Sequence, residues 1–205
     1  MQVESLNMKP RLIFWLPVLL ANVLFAPPAM AAAVDIWSML KQGGYVLLIR
    51  HGPVDSMSRS TSPDADFDGC EGQYNLTDDG RELVKQLGDS FRKRKIPIGG
   101  VLVSPLCRTR DTARIAFKTF RVWSLLEPLP EIDLVDRQQR IESISRVIAD
   151  HKGRDNLVLI THQPNIEALT LESVEPATIV IANPDGKGGF KVLRALPPNA
   201  WRMDR

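Results

Sequence analysis

Tyr45-Val46-Leu47-Leu48-Ile49-Arg50-His51-Gly52 is the stretch whose reading decides the fold. After Gly43-Gly44 a short apolar, β-branched run ends abruptly in an arginine, a histidine and a glycine. Apolar residues without polar alternation suit a strand covered on both faces, as in the parallel sheet of an α/β domain. Ligands of such sheets bind beyond the carboxyl ends of the strands. Arg50 and His51 are therefore expected at that edge, with Gly52 letting a backbone pass close to whatever they hold. A lone Arg-His-Gly is equally consistent with a strand that simply ends in polar residues. Two later stretches repeat the arrangement, however. Gly100-Val101-Leu102-Val103-Ser104-Pro105 leads to Arg108, and Asn156-Leu157-Val158-Leu159-Ile160-Thr161 leads to His162. If the three strands are parallel neighbours, Arg50, His51, Arg108 and His162 meet in one pocket.

Outward from this centre, the 205-residue chain, 44% hydrophobic and 24% charged, fits one ordinary globular domain. Residues 1–31 read as a secretory signal rather than as fold. Lys9 and Arg11 precede the apolar run Leu12 to Ala26, and Pro27-Pro28-Ala29-Met30-Ala31 offers a processing site. Cleavage after Ala31 is expected, leaving residues 32–205 as a single periplasmic or secreted domain with no stable membrane span. Pro17 and Asn22 interrupt the apolar run, which is short for a spanning helix. The formal net charge is +2, and removing Lys9, Arg11 and Glu4 leaves the rest close to neutral. No electrostatic case for nucleic acid or an anionic membrane arises. In an exported chain two cysteines favour pairing, so a Cys70–Cys107 disulfide is expected.

Along the remaining chain, Asp35 to Gln42 reads as a short helix and Pro53 to Asn75 as a long polar loop walling the pocket. Its aspartate-rich run, Asp64 to Gly69, is not followed by the glutamate that completes a calcium loop. Thr77 is a good N-cap for a helix to about Lys95, with Leu83, Leu87 and Phe91 on its apolar face. Pro105 leads into a helix from about Leu106 to Phe117, whose first turn could hold an anion through Arg108 and exposed N–H groups together. A further helix is expected from Arg137 to Asp150, with His151 as a cationic cap at its end. Gln163-Pro164 starts another helix, to about Leu171. Thr178–Ala182 and Phe190–Ala195, joined by a turn-rich segment, make an antiparallel hairpin at a sheet edge.

Two converging arginines call for something doubly anionic between them, and a phosphoryl group is the natural occupant. A neutral histidine nitrogen can attack phosphorus and carry the group covalently. His51, wedged between Arg50 and Gly52, is the better placed nucleophile, and His162 the donor to a phosphoryl oxygen. A carboxylic acid would protonate the leaving alcohol and then activate water. None of the three histidines has His-x-His or His-x-x-x-His spacing, so neither a metal nor another cofactor is expected. Ser104 lacks the nucleophile elbow of a serine hydrolase.

At these residues the sequence resembles the histidine phosphatase superfamily, in its phosphoglycerate mutase-like branch. The resemblance is carried by Leu48-Ile49-Arg50-His51-Gly52, by Asn75-Leu76-Thr77-Asp78-Asp79-Gly80-Arg81, by Ser104-Pro105-Leu106-Cys107-Arg108-Thr109-Arg110-Asp111-Thr112-Ala113 and by Ile160-Thr161-His162. It implies a three-layer α/β/α fold with a mainly parallel sheet, a nucleophilic His51, a phosphate pocket completed by Arg50, Arg108 and His162, and no metal; Gly52 joins the substrate-binding candidates from its place at the strand end. It implies a glutamate acid in a Leu-x-Glu setting. Leu129-Pro130-Glu131 fits, which makes Glu131 the candidate, with Glu127 or Asp133 as alternatives. Threonine rather than glycine before His162, and a loop after His51 unlike that of the mutases, bear on substrate rather than on chemistry. The exported subgroup it resembles points to a small phosphorylated substrate such as a cell-envelope phosphosugar. A mutase or phosphotransferase, or a catalytically silent protein binding phosphate or anionic glycan, are the other readings.

Overall fold

Because side chains alternate across a strand, the apolar run after Tyr45 feeds two cores at once. In β1 (Val46–Arg50), Leu47 and Ile49 enter one core and Val46 and Leu48 the other, all four fully buried. Burying each Leu or Ile contributes roughly 1.5–3 kcal/mol. A computed structural model of the chain describes residues 35–55 and 69–202. The expected signal segment, residues 1–31, and the loop residues Arg59, Asp64, Asp66 and Asp68 lie outside the described residues.

The chain runs α1 (Ile36–Gln42), β1, α2 (Asp78–Arg94), β2 (Ile98–Val103), α3 (Cys107–Phe117), β3 (Arg121–Val122) and a 3₁₀ turn at Ser124–Leu126. It continues with α4 (Leu134–Ala149), β4 (Asn156–Thr161), α5 (Gln163–Thr170), β5 (Ile179–Pro184), β6 (Phe190–Leu196) and α6 (Pro198–Trp201). The six strands form one sheet in the order β3-β2-β4-β1-β5-β6. Pairings β3–β2, β2–β4 and β4–β1 are parallel, and β1–β5 and β5–β6 antiparallel. The sheet is thus mainly parallel with an antiparallel hairpin at one edge, as expected. One face packs Val101, Val103, Val158 and Ile160 against Val84, Leu87 and Phe91 of α2 and Ala113 and Ala116 of α3. The other packs Leu159 and Val180 against Ile144 and Ile148 of α4 and Ile166 of α5. Three layers result.

Helices α2 and α3 approach unusually closely. A Cβ on Gly88 would lie 2.5 Å from the Ala116 carbonyl oxygen, so only glycine fits there. Asp111 ties the pair electrostatically, 3.3 Å from Arg81 of α2 and also paired with Arg114. This fixes α3, the carrier of Arg108. The Thr77 hydroxyl accepts from the Gly80 N–H at 2.9 Å and caps α2, worth about 1 kcal/mol.

Two boundaries and the role of one side chain differ from expectation. Strand β2 begins at Ile98, not near Val101, because a register shift between Ile98 and Gly100 makes Gly99 an extra residue opposite β4. Helix α4 begins at Leu134, not Arg137, because the Asp133 carboxylate accepts from the Asp136 N–H at 2.9 Å. His151 was expected to cap the end of that helix; its Nε2–H instead donates to the Asp155 carbonyl at 2.9 Å and braces the turn into β4. Among the described residues no helix is long and apolar enough to cross a membrane.

Candidate active site

Parallel pairing of β1 and β4 puts Arg50 opposite Thr161, so the next residues, His51 and His162, leave the sheet side by side. Their ring centroids are 5.3 Å apart, the planes at 60°. On the other side of β4, Val103 pairs with Ile160, and Ser104 follows with its N–H on the Ile160 carbonyl at 3.2 Å. The carboxyl edge of three parallel strands therefore delivers His51, Ser104 and His162 to one place.

Each group is held by main chain. The His51 N–H donates to the Thr161 carbonyl at 3.1 Å, and its ring Nδ1–H donates to the Gly52 carbonyl at 2.8 Å. The lone pair of the ring consequently sits on Nε2. Gly52 N–H donates to the Thr112 hydroxyl at 3.1 Å, and a Cβ on Gly52 would come within 2.6 Å of Val84. Arg50 donates from Nη1 to the Val174 carbonyl at 2.6 Å. Gln163, directly after His162, steadies that segment by accepting the Val174 N–H at 3.1 Å. His162 Nε2 lies 2.9 Å from the Ser104 hydroxyl oxygen. Arg50 Nε and His162 Nδ1 are buried without a hydrogen-bond partner among the described residues.

Burial lowers the pKa of His51 from 6.5 to about 3; the hydrogen bond to Gly52 opposes this, and the charges of Arg108 and Arg50 reinforce it. His162 is held well below 6.5 by burial, then by Arg108, His51 and Arg50. Both rings are neutral at physiological pH. Burial also lowers the two guanidinium groups from their usual value, with Tyr74 opposing the effect at Arg108. They remain cationic. The pocket thus combines permanent positive charge with an unprotonated ring nitrogen.

Cys70 and Cys107 form the expected disulfide, Cα atoms 5.6 Å apart, pinning the loop after His51 to the start of α3. Gln73 adds a second tie by accepting the Cys107 N–H at 2.8 Å. Of the N–H groups of α3 expected to share an anion with Arg108, the first, at Cys107, is thereby occupied. The carboxylates are less gathered than the histidines. Glu131 is exposed, and Asp133 is exposed and engaged as the cap of α4. Glu127 is half-buried. Its carbonyl accepts from the Asn165 amide at 2.8 Å, while the Asn165 oxygen accepts the Leu129 N–H at 3.0 Å. Sequence reading missed Ser104, Gln73 and Asn165 as parts of this site. Ser104 had a signal, its place directly beyond an apolar strand; the two amides had none.

Fold and site define a class: an α/β protein with a histidine–arginine pocket at the carboxyl edge of its sheet. Residues 46–140 match the profile of the histidine phosphatase superfamily (branch 1). Solved structures share the fold. The protein histidine phosphatase SixA complexed with tungstate superposes with a TM-score of 0.55 at 19% identity, over 76% of this chain and 97% of that one. Bacillus stearothermophilus YhfR gives 0.55 at 16%, over 72% and 94%. A mycobacterial glucosyl-3-phosphoglycerate phosphatase in complex with VO3 gives 0.53 at 14%, over 79% and 100%. No significant match is found among curated protein sequences.

Proposed function

We propose that the protein is an exported, metal-independent phosphomonoesterase working through a phosphohistidine at His51. The observation that carries this reading is the state of His51: its proton is fixed on Nδ1 by the Gly52 carbonyl, and burial keeps the ring unprotonated. Nε2 is then a nucleophile at neutral pH. It attacks phosphorus and forms a P–N bond as the P–O bond to the alcohol breaks. Arg50 and Arg108 hold the nonbridging oxygens with His162 as a further donor, and charge is offset in a partly dry pocket. Glu131 gives its proton to the departing oxygen. As a carboxylate it then takes a proton from water, whose oxygen attacks phosphorus and releases His51 and inorganic phosphate. Export rests on residues 1–31 and is compatible with the disulfide. The substrate would be a small phosphorylated molecule such as a cell-envelope phosphosugar. No part for nucleic acid is proposed.

Hydrolysis of an aryl phosphate with chelator present, beside His51→Ala, tests the core of this. The protein turns over and the variant loses at least about 10³-fold in kcat/KM. Turnover that survives in the variant sinks the histidine mechanism. Glu131→Gln slows alkyl phosphates far more than aryl phosphates, whose leaving groups need less protonation. Equal losses on both move the acid to Glu127. The exposure of Glu131 favours one second reading, a pocket that binds phosphate or anionic glycan and turns over slowly; rapid-quench trapping of an acid-labile phosphohistidine separates the two.

A further inference from the structure

We infer that Ser104 is a positioning residue that sets the tautomer of His162, so that Nδ1 carries the proton and offers it to a phosphoryl oxygen. The inference rests on reading the pocket as a phosphoryl site, but its chemistry is local. Ser104 is fully buried, and its main chain is engaged on both sides, N–H to the Ile160 carbonyl and carbonyl accepting from the Thr109 hydroxyl at 2.8 Å. Its hydroxyl oxygen accepts the Leu106 N–H at 3.4 Å and lies 2.9 Å from His162 Nε2.

A hydroxyl has one proton and two lone pairs. With a lone pair turned to Leu106, the hydroxyl proton has one acceptor among the hydrogen bonds of the described residues, His162 Nε2. Donation there puts the lone pair of the ring on Nε2 and its proton on Nδ1. The reverse arrangement leaves the serine proton buried and unpaired, which native structures rarely tolerate. It also points the Nδ1 lone pair at an anionic oxygen. Nδ1 is the ring atom that is buried without a hydrogen-bond partner among the described residues. Because His162 stays neutral, its tautomer rather than its charge decides whether it can donate. The two histidines are then set for opposite work. The Gly52 carbonyl makes His51 Nε2 an electron-pair donor, and the Ser104 hydroxyl makes His162 Nδ1 a proton donor.

The test is long-range ¹H–¹⁵N NMR on the full chain labelled at histidine, with inorganic phosphate as the probe. In the wild type with phosphate bound, His162 is expected as the Nδ1–H tautomer. In Ser104→Ala the tautomers mix, phosphate binds about tenfold more weakly, and kcat for an aryl phosphate falls roughly 10- to 100-fold, the range seen when an orienting partner is lost. Ser104→Thr, which keeps the hydroxyl, restores the tautomer. A wild-type Nε2–H tautomer with phosphate bound overturns the inference, as does an unchanged tautomer in Ser104→Ala. A purely structural role for Ser104 lowers the folded fraction and leaves the tautomer alone. Should the variants fail to fold, the wild-type spectrum decides. Failure of the phosphatase reading looks different: the tautomer depends on Ser104, yet no ester is hydrolysed.

Discussion

The two edges of the sheet treat buried polar groups in opposite ways. At the amino edge Asn156 is fully buried and its amide is used up by backbone. Its oxygen accepts the Tyr45 N–H at 3.1 Å, and its nitrogen donates to the Leu40 carbonyl at 2.8 Å and the Pro97 carbonyl at 2.9 Å. One side chain thereby joins α1 to the segments entering β1 and β2. At the carboxyl edge Arg50 Nε and His162 Nδ1 are buried with donors or acceptors to spare. Full satisfaction marks a residue that stabilises, and spare capacity among perturbed groups marks one kept for a ligand.

The sharpest way to break this contrast is to exchange the readouts. His51→Ala, expected to abolish turnover as described above, should leave the urea midpoint at neutral pH nearly unchanged. A collapse in stability as large as that of Asn156→Ala, a substitution at the amino edge, would erase the distinction. Removing the disulfide with Cys70→Ser and Cys107→Ser probes whether the carboxyl edge also carries stability. Its ends are 37 residues apart, and the loss should be roughly 3–4 kcal/mol in the chain-entropy picture, read from the urea midpoint under oxidising conditions. Asn156→Ala should cost about 2 kcal/mol by leaving the Tyr45 N–H unpaired and taking one of two donors from each of the Leu40 and Pro97 carbonyls, with kcat/KM of the folded fraction within about twofold. A catalytic defect larger than the stability loss would show that the amino edge reaches the site.

The pH dependence of stability gives the smallest and most specific effect. His51 has a folded pKa of about 3, and that of His162 is also depressed. Below 6.5 the unfolded chain therefore binds protons that the folded one does not. The stability is fully present above pH 6.5 and declines as pH falls toward the folded values, by up to about 1.4 kcal/mol per pH unit for each ring. Urea midpoints between pH 7.5 and 5 should show the slope, and His51→Gln should roughly halve it. A slope unaltered by the substitution would place the titrating groups elsewhere.

What could be read from the sequence follows from what repeats locally. The apolar runs of β1 and β4, the capped and periodic α2 and the turn-rich hairpin carry their signals within a few residues. The strand-end positions of Arg50, His51 and His162 follow from the runs. The start of β2 was missed because a glycine pair with low strand propensity encodes a bulge. The start of α4 was missed because Asp133 was weighed as an acid rather than as a cap. Contacts such as Ser104 with His162, or Gln73 with Cys107, join residues 58 and 34 positions apart. No period or spacing rule marks them, so only the assembled fold does.

The central place of β1 has a consequence for how the protein is made. The strand leading to His51 is among the first segments of the domain to emerge, but β4 and β5, which flank it, come from the other end of the chain. Tyr45 and Asn156 are 111 residues apart. Such distant pairing closes long loops before it gains contacts and slows folding. Until β4 arrives, an apolar strand waits with both edges open, the kind of segment that templates aggregation. A chain halted before Asn156 would therefore carry His51 without the strands that surround it, and would be a hazard rather than a working fragment.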